Sequence, residues 1–243
     1  MRAVFMEHEH SIEAIQKRLA AGPQHNYLRD WIYGGIDGSV TTFAVVSGVI
    51  GARLPAIIIV IMGFANLLAD GFSMAASNFL GTKSEHDDFR RLESIEKRHI
   101  ELDPEGEREE VRQIFAGKGF DGADLDRVVE LITSDRERWV QTMLRDEYGL
   151  PEAARSPWLA AVTTFSAFAI CGFAPLIPFL IGSSHAIELS IIFTGIIFFA
   201  IGSAKSRWST ASWWRSGLST LFVGAIAASL AYVVGLGLRK FVP

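Results

Sequence analysis

The chain has 243 residues, 49% of them hydrophobic, and a formal net charge of −4. Length and net charge alone would suit one or two soluble domains, but the distribution of charge does not. Of the 27 acidic and 23 basic residues, 20 and 13 lie between Thr82 and Arg155, a net −7 there against +3 for the remainder. The flanks are nearly uncharged over long runs, which bilayer spans need and a soluble core does not. An acidic block disfavours nucleic acid and anionic lipid as partners and attracts metal cations. The single cysteine, Cys171, sits in an apolar run, so an intramolecular disulfide is impossible and a packing role is expected.

Met1 to Asn26 is polar and holds no apolar stretch of the kind that a secretory signal needs. Within it, Glu7-His8-Glu9-His10 has metal-binding side chains, although short terminal tracts of this kind are usually solvated. Ile12, Ile15 and Leu19 fall on one side of a helix from Ser11 to Ala21, the pattern of a segment lying on a membrane surface, and Gly22-Pro23 ends it. Trp31 and Tyr33 mark an interface, and a first span follows to about Ala52. Asp37, Thr41, Ala44, Gly48 and Gly51 share one of its faces. The small residues suit close helix packing, whereas an ionisable Asp37 inside a span calls for a partner or a water-filled path.

Arg53-Leu54-Pro55 turns the chain back into a second span, Ala56 to Leu80. Here Asn66, Asp70, Ser73, Met74 and Ser77 form a polar stripe at helical spacing. At 1.5 Å per residue, Asp37 lies roughly 9 Å inside Trp31 and Met74 roughly 10 Å inside Gly81. That places Asp37 and Met74 at similar depth near one membrane face, with Asp70 a turn deeper. The run leaves the membrane at Gly81-Thr82-Lys83 and continues as a charged helix to about Leu102. A polar stripe that feeds a carboxylate-rich helix reads as a route for a cation.

The insert reads as further helices: Asp103-Pro104 starts one that ends near Gly117, Asp121-x-x-Asp124 starts another, and Ser134-x-x-Glu137 is a capping box for a last helix reaching Tyr148. Val111, Ile114, Phe115, Leu125, Val128, Val129, Ile132, Trp139 and Val140 supply a small core. A third span, Pro157 to Gly182, is bent by Pro175 and Pro178. A fourth runs from Ile187 to Ala204 and a fifth from Gly217 to Leu238, after a basic aromatic belt of Lys205, Arg207, Trp208, Trp213, Trp214 and Arg215. The expected divisions are therefore 1–30, 31–82, 83–155 and 156–243. The positive-inside rule puts the N-terminus and insert in the cytoplasm and the C-terminus outside, with Arg239 and Lys240 as a minor violation.

Three helix-spaced pairs in the insert carry metal-ligand chemistry: Glu96 with His99, Glu107 with Glu110, and Met143 with Glu147. Each pair alone is common on a solvated helix. Carboxylates suit magnesium, calcium or manganese, and imidazole plus thioether shift the preference toward a ferrous-like transition metal.

Asp37-Gly38, the run Ala-Asp-Gly-Phe-Ser-Met-Ala-Ala-Ser-Asn from Ala69 to Asn78, Lys83-Ser84-Glu85 and Pro175-Leu-Ile-Pro178 together resemble the vacuolar iron transporter family. The resemblance covers the chain from about Asn26 onward. It implies an all-α polytopic membrane protein with five transmembrane helices and a cytosolic helical metal-binding insert, working as a homodimer. It also implies export of Fe2+ from the cytosol in exchange for protons, for detoxification or storage, with Mn2+, Co2+ or Zn2+ as further substrates and no enzymatic step. By resemblance Asp37 and Met74 take transport-site roles, Asp30 an acidic position at the cytosolic mouth, and Glu96, His99, Glu107, Glu110, Met143 and Glu147 the metal-collecting positions. The transport path is then Asp30, Asp37, Asn66, Asp70 and Met74, in a bacterial inner membrane. The chain departs from the family pattern at Asn66, where the plant type has glutamate and Asp70 one turn on can replace the charge. It departs also at His99 for a glutamate, Leu144 for a second methionine, and Asn26 for an acid. Two other functions compete: a membrane-attached di-iron ferroxidase, which needs a second Glu-x-x-His that the insert lacks, and a membrane-tethered metal sensor, which leaves the polar stripe of the second span without a use.

Overall fold

The computed structural model of the chain describes residues 9–21, 26–150, 155–208 and 210–241. Glu7 and His8 of the N-terminal tract, the Gly22-Pro23 stop and the side chain of Trp208 lie outside the described residues. The described residues form α-helices and short 3-10 turns, with no strand among them. Five helices are long and apolar enough to cross a membrane. The chain divides into two compact units, residues 27–83 with 156–243, and residues 1–26 with 84–155.

The first unit is organised around α2 (Leu28–Ala52), which packs against α7 (Pro157–Phe173) on one side and α10 (Trp213–Leu238) on the other. Glycines allow both approaches. A Cβ on Gly34 or Gly38 would lie on the carbonyl oxygens of Thr164 and Phe168, and one on Gly235 would lie on that of Gly48. Backbones this close exclude any side chain, which is why small residues line such interfaces in membranes. The small-residue face read from the sequence is thus a packing face at Gly48 and Gly51, whose neighbours on α10 include Tyr232 and Gly235.

Arg53, in the left-handed region at φ 58, reverses the chain into α3 (Ala56–Leu102), a helix of 47 residues. From α3, Ile59 and Leu67 enter a buried cluster with Val46, Val49, Phe168 and Leu176. The bend expected at Pro175 and Pro178 is a 3-10 turn, Ala174–Leu176, between α7 and the short α8 (Ile177–Leu180). Ser190, on α9 (Ala186–Lys205), donates a 2.8 Å hydrogen bond to the Pro175 carbonyl oxygen, satisfying a buried backbone acceptor at the break.

In the second unit, α1 (Ile12–Ala20) buries none of its residues and is capped by Ser11, which accepts from the Ala14 amide. The insert holds α4 (Pro104–Gly117), α5 (Gly122–Thr133) and α6 (Arg136–Asp146) around Val111, Val129, Ile132, Trp139 and Met143. Asp103 caps α4 as expected, accepting from the Gly106 amide at 3.1 Å. The expected box at Ser134 is displaced by one residue. Asp135 caps α6, accepting from the Arg138 amide at 2.8 Å, while Ser134 ends α5 in helical geometry and turns its hydroxyl back to the Leu131 carbonyl. A charged carboxylate is the stronger acceptor for an exposed helix amide. The helix also stops at Asp146, short of Tyr148.

Gly38→Val should prevent the α2–α7 approach and lower the thermal midpoint of the purified protein sharply, since overpacking against backbone exceeds the usual ~1–3 kcal/mol. Gly81→Ala, where a Cβ meets nothing within 4 Å, should leave it unchanged or slightly raised; melting in detergent compares the two.

Candidate metal-handling sites

In the first unit, the side chains of α2 and α3 interlock through hydroxyls and amides. Thr41 Oγ1 donates its only proton to the Asp37 carbonyl oxygen at 2.9 Å, so toward Asn66 it can only accept. The Asn66 amide nitrogen therefore faces α2, donating to Thr41 Oγ1 at 3.0 Å and Thr42 Oγ1 at 3.3 Å. Its planar amide then directs Oδ1 away from the threonines. A second tie lies some three turns along: Asn78 Nδ2 donates to Asp30 Oδ1 at 2.9 Å.

These two ties fix the antiparallel register. With Thr41 opposite Asn66 and Asp30 opposite Asn78, Asp37 falls level with Asp70, and the two carboxylates stand close enough to sense one another's charge. Met74 lies a turn closer to the Asp30 end, because Asn66, Asp70 and Met74 follow at steps of four. Counting inward from Trp31 and Gly81 puts Asp37 level with Met74 instead. The count fails because α2 begins at Leu28 and its register is set by hydrogen bonds, not by interface aromatics. Asp37, Asn66, Asp70 and Met74 are all half-buried, whereas Asp30 is only 4% exposed.

In the second unit, Glu96 is 1% exposed and Glu107 6% exposed, and the Oε2 of each is buried without a hydrogen-bond partner. Tyr148 donates from its hydroxyl to Glu96 Oε1 at 2.9 Å, and His99 Nδ1 lies 3.3 Å from Glu107 Oε1. Burial pushes the Glu107 pKa up to about 8, reinforced by the charges of Glu96, Glu110 and Glu147. Burial also raises Glu147, with Glu96 and Glu110 adding to it, and raises the Tyr148 phenol, whose neighbours are Glu96 and Glu147. Glu110 and Glu147 are exposed, and Met143 is fully buried in the apolar cluster with Trp139 and Val111. Among the described residues no three His, Cys, Asp or Glu side chains form a ready-made chelate. The insert instead gathers mutually repelling carboxylates, and Glu107, which keeps its proton up to about pH 8, shares it with Glu96; a divalent cation that displaces the proton would relieve the repulsion.

A model of the VIT family matches residues 28–236. The chain belongs to that family. It is 32% identical to "Vacuolar iron transporter 1" of Arabidopsis thaliana over 89% of this chain and 87% of that protein. It is 28% identical to "Vacuolar iron transporter 2" of rice (Oryza sativa subsp. japonica) over 90% and 89%, and 28% identical to "Vacuolar iron transporter" of Toxoplasma gondii over 86% and 74%. Family membership and the five apolar helices make this an integral membrane protein.

The run from Ala69 to Asn78 thus carries both kinds of residue: Asp70 and Met74 on the half-buried stripe, and Asn78 as a tie between helices. Sequence reading missed the ties. Thr41, Thr42, Asn78 and Thr164 are ordinary polar residues of a span, and only the proton accounting at each hydroxyl reveals which way each amide faces. Tyr148 was also missed; its position directly after Glu147, at the end of the acidic insert, was the available signal.

The sign of the pH dependence follows from Glu107. Below its ordinary value of 4.5 the carboxyl is protonated both folded and unfolded. Between 4.5 and about 8 only the unfolded chain gives up the proton, so the folded state loses stability as pH rises through that window. Metal-free wild type should therefore melt progressively lower from pH 5 to pH 8.5, and Glu107→Gln should flatten the decline and melt above wild type at the alkaline end.

Proposed function

We propose that this VIT-family chain carries ferrous iron out of the cytosol in exchange for protons, with Mn2+, Co2+ and Zn2+ as weaker or competing substrates. The observation that carries the proposal is the level pairing of Asp37 with Asp70 on two neighbouring apolar helices, flanked by the Asn66 amide and the Met74 thioether. Ionisable groups inside a span cost about 2.5–3.5 kcal/mol each and are retained where they serve an ion or proton route. Two carboxylates, an amide oxygen and a thioether are a donor set of mixed hardness, suited to a borderline divalent metal rather than to magnesium or calcium. The relatives are named as vacuolar iron transporters, which points the same way.

Exchange follows from linkage. A carboxylate that binds the metal must release its proton, and one reloaded with a proton must release the metal. Loading from the cytosolic side and reprotonation from the far side make the cycle an antiport. In the insert, Glu96, His99, Glu107, Glu110 and Glu147 would concentrate the metal on the cytosolic side, whereas the Met143 sulfur is taken up by the apolar core. The tyrosine bond holds Glu96 in place and His99 lies against Glu107, while the exposed Glu110 and Glu147 stand beside them. We assign the chain a homodimeric state, as in the family it resembles, an inner-membrane location with the N-terminus and insert cytoplasmic, and a role in metal detoxification or storage. No covalent step is involved.

In proteoliposomes, Asp37→Ala and Met74→Ala should each reduce ferrous iron flux to background, and undiminished flux in both would remove the path from these residues. Paired substitution Glu96→Gln with Glu107→Gln should weaken metal binding to the whole protein by about tenfold or more in calorimetry, as loss of two charged donors implies. Unchanged stoichiometry and affinity would take the insert out of the cycle.

A further inference from the structure

By resemblance Asp30 is an acid at the cytosolic mouth, but its surroundings are those of a joint. Its carboxylate is buried, and Oδ1 accepts from the Asn78 amide at 2.9 Å. The same amide nitrogen donates to Thr164 Oγ1 at 2.7 Å, with the Ala160 carbonyl at 3.3 Å as a weaker third acceptor. Thr164 gives its own proton to the Ala160 carbonyl at 2.9 Å, so its hydroxyl can only accept from Asn78. One amide thus joins α2, α3 and α7 at a single level. Gly34, one turn after Asp30, lets the α2 backbone rest on the Thr164 carbonyl there, and the Ser156 amide donates to the Tyr27 hydroxyl at 2.8 Å across the same pair of helices.

We infer that Asp30, Asn78 and Thr164 form a register key, which sets the rotation of α2 and α3 so that Asp37 comes level with Asp70 and Met74 a turn on, and that Asp30 acts as a positioning residue and not as an ion ligand. The spacing makes this effective. Asp30 and Asp37 are seven residues apart on α2, and Asn78 lies four and eight residues from Met74 and Asp70 on α3, so each member of the key shares a face with the groups it orients. A hydrogen bond to a buried charge is about twice as strong as a neutral one, which explains a carboxylate at this joint without invoking metal. The transport consequence rests on the function proposed above, whereas the orienting role does not.

Two measurements on the full-length protein test it. In the first, the rate at which a water-soluble thiol reagent labels Met74→Cys is followed in a Cys171→Ser background. Asp30→Leu and Asn78→Leu should each change that rate by about threefold or more, with no further change when combined, while Asp30→Asn, which keeps an oxygen acceptor for Asn78, should leave it as it was. In the second, ferrous iron flux into proteoliposomes should fall about tenfold in Asp30→Leu and in Asn78→Leu, and stay within about twofold, at unchanged KM, in Asp30→Asn. Should Asp30→Asn abolish flux as fully as Asp30→Leu while labelling stays constant in both, the charge of Asp30 handles the ion and the key is refuted. Additive effects of Asp30→Leu and Asn78→Leu on labelling would refute it as well. If the wild type moves no metal, the transport reading falls and the labelling result still decides the key.

Discussion

A buried oxygen must be matched by a donor, a cation or water, and that requirement organises both units of the protein. In the spans it is met at Thr41, Thr42 and Thr164 by hydroxyls whose protons are committed to backbone carbonyls of α2 and α7, or which accept from an amide across the helix pair. Each committed proton determines which way the facing amide turns, and the amides in turn fix the register of α3 against its neighbours. Along the α2–α3 pair, Asp37, Asn66, Asp70 and Met74 stay half-buried beside these ties. In the insert no neighbouring donor meets the requirement at Glu96 Oε2 and Glu107 Oε2, and the proton that Glu107 retains completes the pair. Unmatched carboxylate oxygens are expensive in a folded protein and are retained where a proton or a metal completes them.

Close packing makes the register possible. Because Gly34, Gly38 and Gly172 bring α2 and α7 to backbone contact, the short side chains of Thr164 and Asn78 are long enough to bridge three helices. With larger residues at the crossing, the helices would stand further apart and the amide would reach only one partner. The basic aromatic residues serve a different end: Arg215 lies over the Trp214 ring and Arg29 over the Tyr33 ring, pairings suited to an interface between apolar and polar surroundings.

Much of this architecture is legible in the sequence because the physics is local. Uncharged runs of sufficient length read as spans, Asp103-Pro104 reads as a helix start, and Pro175 with Pro178 as a break, since each depends on residues adjacent in the chain. The displaced cap at Asp135 shows the limit, because two neighbouring polar residues can each end one helix or start the next and only the backbone decides between them. Met143 shows another limit. A thioether is equally fit for a metal and for an apolar core, and it is fully buried beside Trp139 and Val111. The depth of Asp37 relative to Met74 was illegible for a third reason. It depends on which residues hydrogen-bond across a helix pair, and Asn78 and Thr164 are 86 positions apart in sequence. Glu107 and Tyr148 owe their raised pKa values first to burial and then to the acidic groups that folding brings beside them, which no spacing rule anticipates.

Metal and proton are coupled, on this reading, at Asp37 and the Asp70 level with it. This coupling is tested most directly by recording lumenal pH and metal entry together in proteoliposomes as ferrous iron is added outside, for wild type and Asp37→Asn. Wild type should release protons from the lumen in step with iron entry, and Asp37→Asn should show neither. Iron entry with no accompanying proton movement, or the same coupled signal from Asp37→Asn, would contradict it.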